Sequence, residues 1–363
     1  MVALAVPTLT DKILAGERIS AAEAMELYRW PLPELGALAD ARRNRSKAAS
    51  YAEHGTEIVT YIVDRNINYT NVCNVYCKFC AFYRTEKDAD HYVLSFEQLD
   101  AKLDELTAAG GVQILMQGGH HPKLYFDWYI KLLQHIRAKY PHINIHGFSP
   151  PEFQHFAEVF KMPLREIIRA FKQAGLGSIP GGGGEILVDR VRQRISPLKC
   201  DSDGWLEVMQ IAHEEGLKSS ATMMFGHVET VEDRIEHLQR LRDQQDASGG
   251  FTAFICWTFQ PENTVLKIKH RVGVAEYLRM QALARIFLDN FPNVQSSWVT
   301  QGPDIGQVAL KYGANDFGSV MMEENVVSSA GTTFCLDAPQ IETLIRDAGY
   351  EPRRRNNWYQ LLN

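Results

Sequence analysis

Six cysteines in 363 residues are too few to staple a chain of this length. A chain this long buries enough apolar surface to fold without staples. No run of about 18 apolar residues occurs, so no membrane span is expected. The opening residues, MVALAVPTLTDKILAGERIS, lack a basic start followed by a long apolar core and are not read as a secretory signal. The expected compartment is the cytoplasm, where thiols stay reduced and serve metals or catalysis rather than disulfides. Positive charge is not in excess either. The formal net charge of -6 argues against a general nucleic-acid binder. The one dense basic run, Arg353-Arg354-Arg355, reads as a solvated tail. No low-complexity tract and no linker rich in Pro, Gly or Ser divides the chain.

What is present is periodic. Residues 1–58 read as a helical extension, with an S-x-x-E capping box at Ser20 and Glu23 and helical spacing in LPELGALADARRNR. Beyond it, amphipathic stretches end at glycine and are followed by short apolar runs: AAGG then VQILMQGG, EEGL then KSSATMMFGH, SGG then FTAFICWTFQ. The runs look continuous rather than alternating, as in parallel strands buried on both faces. Counting NINYT, INIHGFS, GSIP, NVQSSWVT and ANDFGS gives eight strands with helices between them. The expected fold is α/β, a (β/α)8 TIM-type barrel over residues 59–363 with a C-terminal tail. An open doubly wound sheet is the alternative.

Chemistry in a parallel barrel gathers where the strands end. The first such end, NVCNVYCKFCAFYR, holds Cys73, Cys77 and Cys80 in a C-x3-C-x2-C pattern within eight residues. A zinc site normally needs four protein ligands and no second C-x2-C exists to supply one, so it would take a nearby histidine to complete a Cys3His site. Spacings of four and three would also put three thiols on one helix face. An iron–sulfur cube suits the spacing best: three thiolates leave one iron open to a cofactor or substrate. Other strand ends are rich in glycine or ionisable groups. QGG holds Gln117, Gly118 and Gly119, PGGGGE holds Gly182, Gly183 and Glu185, and GHVET holds His227 and Glu229. His227 and Glu229 lie two apart, so in an extended segment both face one pocket. The neighbouring His120 and His121 suit a place at the barrel mouth. Cys200, Cys256 and Cys335 share no metal spacing and read as buried hydrophobes.

C-x3-C-x2-C after a first barrel strand resembles the signature of the radical S-adenosylmethionine (SAM) superfamily. That resemblance implies a [4Fe-4S] cluster on Cys73, Cys77 and Cys80 whose open iron chelates S-adenosyl-L-methionine. It places Phe79 against the adenine, Gln117, Gly118 and Gly119 near the methionine amino group, and Gly182, Gly183 and Glu185 near the ribose. Within the superfamily, TYIVDRNINYTNVC, CKFCAFYR, HGFSPPE, IPGGGGEILVDRVRQRISPLK, TMMFGHVET and GANDFGSVMMEENVV together resemble the cyclic dehypoxanthinyl futalosine synthases of menaquinone biosynthesis. Gly184 and Cys256 depart from that pattern, where alanine and proline are usual. The resemblance implies abstraction of the C4′ hydrogen of dehypoxanthine futalosine, addition of the carbon radical to the benzoate ring, and loss of an electron and a proton. His227 or Glu229 is the expected proton acceptor and Arg65 a possible partner of the substrate carboxylate. An external one-electron donor such as flavodoxin or ferredoxin is implied. The sister aminofutalosine synthase shares the INxTNVC context; Tyr69 and MMFGHVET favour the cyclase. A non-catalytic iron–sulfur protein would instead show four protein ligands and no cofactor pocket.

Overall fold

The computed structural model describes residues 8–331 and 334–362; the reading of the chain's start therefore lies partly outside the described residues. Ten strands form one sheet: Ile58–Ile62 (β1), Asp64–Ile67 (β2), Gln113–Met116 (β3), Asn144–Gly147 (β4), Ser178–Ile179 (β5), Lys218–Phe225 (β6), Phe251–Thr258 (β7), Val294–Gln295 (β8), Asp316–Ser319 (β9) and Glu351–Arg354 (β10). Every pairing is parallel, in the order β10-β1-β9-β8-β7-β6-β5-β4-β3-β2. Only Val63 separates β1 from β2, so the last eight members of the order return to the chain they started from. The first barrel strand is thus one segment, 58–67, whose lower half pairs with β9 and whose upper half pairs with β3. The fold is a TIM-type α/β barrel whose two neighbours part company at Val63.

Two expectations need correction. The first strand begins eight residues before NINYT, and Tyr69 and Thr70 lie beyond its end. The basic run is no solvated tail: Glu351–Arg354 forms an added strand beside β1, and Arg355 is buried.

Parallel neighbours require helical crossovers. These include Phe96–Ala108, Phe126–Lys139, Ser202–Glu214, Val231–Ser248 and Val274–Phe287. Their ends follow local chemistry. Ser95 and Thr230 each cap a helix through a reciprocal capping box, and Gly249 ends Val231–Ser248 at φ 58°. The helices bury their apolar faces against the outside of the sheet, where the main core lies. The helix Leu32–Lys47 of the N-terminal segment packs on Val274–Phe287 and beneath the barrel.

The barrel interior is different. TIM interiors are usually filled by branched aliphatic layers, but here a polar belt lines it. Ser319 Oγ donates to Asp64, Gln113 Nε2 to Asp64 (3.1 Å), and Asn144 Nδ2 to Gln113 (3.0 Å) and Ser178 (3.1 Å). His146 bridges Ser178 (2.7 Å) and Ser220 (3.4 Å). Asp64 and Asn66, Gln113, and Ser220 and Thr222 thus face the interior from strands whose runs are read above as continuously apolar. Burial pushes His146 down to about 3, so it stays neutral within the belt.

Candidate active site

The three cysteines occupy an irregular loop, not a helix, so the one-helix-face reading of their spacing is excluded. The loop is held from several sides. Arg84 N–H donates to Asn71 O (2.8 Å), Cys73 N–H to Arg84 O (2.9 Å), Lys78 N–H to Ile195 O (2.8 Å) and Leu266 N–H to Lys78 O (2.8 Å). The Arg84 guanidinium gathers the carbonyls of Ala81, Phe82 and Tyr83 and pairs with Asp90 at 2.7 Å. Burial raises the Cys73 and Cys77 thiols, the latter to about 12. Backbone N–H groups of Val75 and His120 pull Cys73 back, and Lys199 pulls Cys77 back. Among the described residues no three His, Cys, Asp or Glu side chains converge on a single ion. A cubane cluster does not require that, because each thiolate binds its own iron.

A cavity of about 290 Å³ runs from this loop down the barrel axis. Phe79, Cys80, Gln117, Gly182 and Glu185 all line it. PGGGGE is not a flexible loop: Thr222 donates to Gly181 O (2.6 Å), Trp205 Nε1 to Gly182 O (3.1 Å), and Arg192 to Gly183 O and Gly184 O (3.1 Å each). Glu185 sits at φ 30°, a strained conformation for a residue with a side chain. Its Oε1 accepts from Lys199 Nζ at 3.0 Å, while its buried Oε2 has no hydrogen-bond partner. An orphaned buried acceptor calls for a missing donor, and a ribose hydroxyl fits. Lys199 also lies 5.1 Å from the Phe79 ring centre, tying cysteine loop to glycine loop.

QGG is glycine for a reason other than ligand approach. A Cβ on Gly118 would fall 2.4 Å from the Tyr69 ring, and one on Gly119 would fall 2.1 Å from Val72 O. A Cβ on Gly182 would meet Gln117 Nε2 at 2.1 Å, and one on Gly183, at φ 75°, would strike Pro151. The glycines let these loops nest against one another. Glu152 organises that nest. It is fully buried in SPPE and accepts from Tyr69 OH (2.8 Å), Gly118 N–H (3.1 Å), and Ser149 N–H and Oγ–H (2.8 Å each). The S-x-x-E spacing at Ser149 was the sequence signal for Glu152, and polar residues at alternate strand positions were the signal for the belt.

Other expected residues take structural places. His227 and Glu229 do meet, with Nδ1 3.0 Å from Oε2, but both side chains are fully buried outside the cavity wall. His227 Nε2 donates to Met224 O (3.0 Å), and Glu229 accepts from Gly226 N–H (2.6 Å), His227 N–H (2.9 Å) and Arg234 Nε (2.9 Å). Burial would raise Glu229, but His227, Arg234 and the Gly226 N–H outweigh it and hold the carboxyl well below its usual range. Every strong polar site of the pair is thus occupied by protein. Arg65 pairs with Glu105 (2.5 Å) and Glu323 (2.8 Å) away from the cavity. His120 is buried behind Cys73 against the His155 ring (5.0 Å), and His121 Nδ1 accepts from Lys123 N–H. Cys256 is buried and bonds to Gln281, Cys200 is partly buried, and Cys335 is exposed, so only the first is the buried hydrophobe expected.

The Radical SAM superfamily model matches residues 67–241, and the CofH/MqnC C-terminal region matches residues 248–363. The cyclic dehypoxanthine futalosine synthase of Halalkalibacterium halodurans is 43% identical over 99% of this chain and 95% of its own length. That of Streptomyces coelicolor is 46% identical over 98% of this chain and 88% of its own. The crystal structure of methylornithine synthase covers 96% of this chain and 98% of its own with a TM-score of 0.73 at 17% identity, a likeness of fold alone. With identity of this order running through barrel and C-terminal region alike, the chain belongs to the radical SAM superfamily and, within it, to the family of the cyclic dehypoxanthine futalosine synthases.

Proposed function

We propose that this chain converts dehypoxanthine futalosine to cyclic dehypoxanthinyl futalosine in the futalosine route to menaquinone. The observation that carries the reading is one continuous cavity that Cys80 and Phe79 share with Gln117, Gly182 and Glu185. Cys73, Cys77 and Cys80 would hold a [4Fe-4S] cluster, Phe79 the adenine, and the free Oε2 of Glu185 a ribose hydroxyl of S-adenosyl-L-methionine. Gln117, Gly118 and Gly119 would lie by its amino group and Gly182 and Gly183 along its ribose. When bound, these cofactors supply a 5′-deoxyadenosyl radical able to remove the C4′ hydrogen of the substrate.

The protein's own part is to orient and to shield. The cavity wall holds the C4′ carbon radical beside the benzoate ring, so addition is the nearest reaction open to it. Loss of one electron, which would return to the oxidised cluster held by Cys73, Cys77 and Cys80, and of one proton then restores the aromatic ring. His227 and Glu229 brace the wall rather than take that proton. Asp64 and Glu324 line the cavity, and burial favours the protonated form of each, so either can hold it. An external donor such as flavodoxin or ferredoxin would supply the initiating electron, and the cytoplasm is the compartment this chemistry suits. No described helix is long and apolar enough to cross a membrane. Residues 1–58 are read as an extension to a barrel unit spanning 59–363.

The test is anaerobic. The cluster is rebuilt with iron and sulfide, and reductant, S-adenosyl-L-methionine and dehypoxanthine futalosine are added. A product two hydrogens lighter, formed along with 5′-deoxyadenosine, is expected by mass spectrometry. Formation of 5′-deoxyadenosine without that product would overturn the substrate assignment.

A further inference from the structure

The floor of the cavity, opposite the cysteine loop, carries groups that the reaction above does not use. Past β10 the chain turns under the barrel, and Arg355, Asn357 and Tyr359, at alternate positions, all line the cavity. Arg355 donates through Nε and Nη2 to Asp316 (2.5 and 2.8 Å) and through Nη1 to Asn356 O (3.1 Å). A guanidinium has five N–H donors; three are engaged here, leaving one on each terminal nitrogen. The Tyr359 ring stacks 4.0 Å from the guanidinium carbon. Asn357 is 7% exposed, and its Nδ2 is a buried donor with no acceptor.

Beneath Asp316 lie three more cations, Arg43, Lys47 and Arg285, all buried. Arg43 donates to Ala314 O, Thr56 O, Ile58 O and Asn44 Oδ1, Arg285 to Gly313 O, Phe291 O and Asn315 Oδ1, and Lys47 to Asn293 Oδ1. Among the described residues none of the three has a carboxylate within ion-pair distance. Buried cations without counter-ions are costly, and the cavity above them is where an anion would offset that cost. The rest of the wall points the same way: Asp64, Glu185 and Glu324 are acidic, and Arg355 is the one Lys or Arg among the described lining residues.

We propose that Arg355 and Asn357, backed by this cationic floor, form a carboxylate-binding subsite that takes the aryl carboxylate of the substrate. The proposal rests on the cyclase reading for the identity of that carboxylate, though not for the existence of the subsite. The two free guanidinium N–H groups and the Asn357 amide supply donors in the number that the two oxygens of a carboxylate accept. Bound there, the benzoate end is fixed at the floor and the sugar end is directed up toward the cysteine loop.

The experiment measures binding to the full chain by the fluorescence of Trp257 and Trp298, which line the cavity. The probes are dehypoxanthine futalosine and the pair benzoate and benzamide, which differ in charge but hardly in shape. Wild type is expected to favour benzoate over benzamide by about tenfold or more. Asn357→Asp keeps the shape and replaces the donor by an anion, so it should reverse that preference and weaken dehypoxanthine futalosine by a similar factor. Asn357→Leu and Arg355→Lys should bring the ratio toward one, with the circular dichroism spectrum of each variant as the check on folding. A wild-type ratio near one, or an Asn357→Asp ratio equal to wild type, overturns the subsite. Cyclisation that continues with an unmoved ratio leaves the proposed function standing while the subsite falls. A floor-dependent preference for benzoate in a chain that makes no cyclised product does the reverse.

Discussion

The two ends of the cavity are built on opposite plans. At the upper end, three thiols and the Phe79 ring come from eight consecutive residues, and loops nest through glycines, with Glu152, Glu185, Lys199 and Arg192 all bonded within the nest. At the floor, Arg43, Lys47, Arg285, Asp316, Arg355 and Asn357 come from four distant parts of the chain, and charge dominates. A cluster-bearing end needs geometry that tolerates an inorganic core, so its chemistry is local and its backbone tightly held. A substrate-bearing floor needs only the right field and donors at one place, which any strand end or helix pointing inward can supply.

The comparison is broken most completely from above. Replacing any one of Cys73, Cys77 or Cys80 by alanine should abolish cluster assembly, read as iron content, and with it 5′-deoxyadenosine formation. Binding of benzoate at the floor should stay within about twofold of wild type, because the two ends share no residue and separated sites act independently. A parallel loss of both would show the ends to be one unit.

Next in size is Glu152, which does not line the cavity and serves the upper end through the hydrogen bonds it accepts. Glu152→Ala leaves the Tyr69 hydroxyl and the Gly118 and Ser149 N–H groups without their acceptor. A loss of about 3 kcal/mol is expected in denaturant unfolding. Glu152→Gln, which keeps the shape but not the charge, should lose less.

This contrast also explains what the sequence made visible. The cysteine loop was legible because its chemistry lies in adjacent residues with a rare spacing, and the parallel barrel because glycine-ended helices alternate with strand runs. The floor was not, since Arg355 looks like any arginine in a basic run until β10 is known to lie beside β1. His227 and Glu229 were over-read for the converse reason. Two residues apart in sequence, they do meet, but periodicity says nothing of whether a pair faces a cavity or, as here, Arg234 and backbone N–H groups.

That distinction carries a third, smaller prediction. Glu229→Gln should reduce stability by about 2 kcal/mol at neutral pH without changing the ratio of cyclised product to 5′-deoxyadenosine; a proton acceptor would lower that ratio. The pH dependence has a definite sign. The folded carboxyl lies below its ordinary value of 4.5, so its stabilisation is complete above that pH and is lost as pH falls below it. Wild type and Glu229→Gln should therefore converge in stability on acidification.

The smallest effect reports on the floor, and its sign is opposite. Lys47 is buried with one amide oxygen, Asn293 Oδ1 at 3.1 Å, as its partner. Burial first, then Arg285 and Arg43, against a smaller opposing pull from Asp316, lower it from 10.5 to about 8. At pH 7 the lysine is charged both folded and unfolded, and the folded protein bears the cost of the buried charge. Lys47→Met should therefore stabilise the protein by about 1–2 kcal/mol at pH 7, since Asn293 Oδ1 keeps its bond from Asn315 Nδ2. As pH rises from about 8 toward 10.5, the folded wild type releases its proton first and the unfolded chain binds more, so wild type gains and the difference closes. If the floor is kept cationic for a carboxylate, saturating benzoate should raise the melting temperature of wild type more than that of Lys47→Met. An equal rise in both would mean that Lys47 contributes nothing to the anion's field, and the destabilising charge would then lack a functional reason.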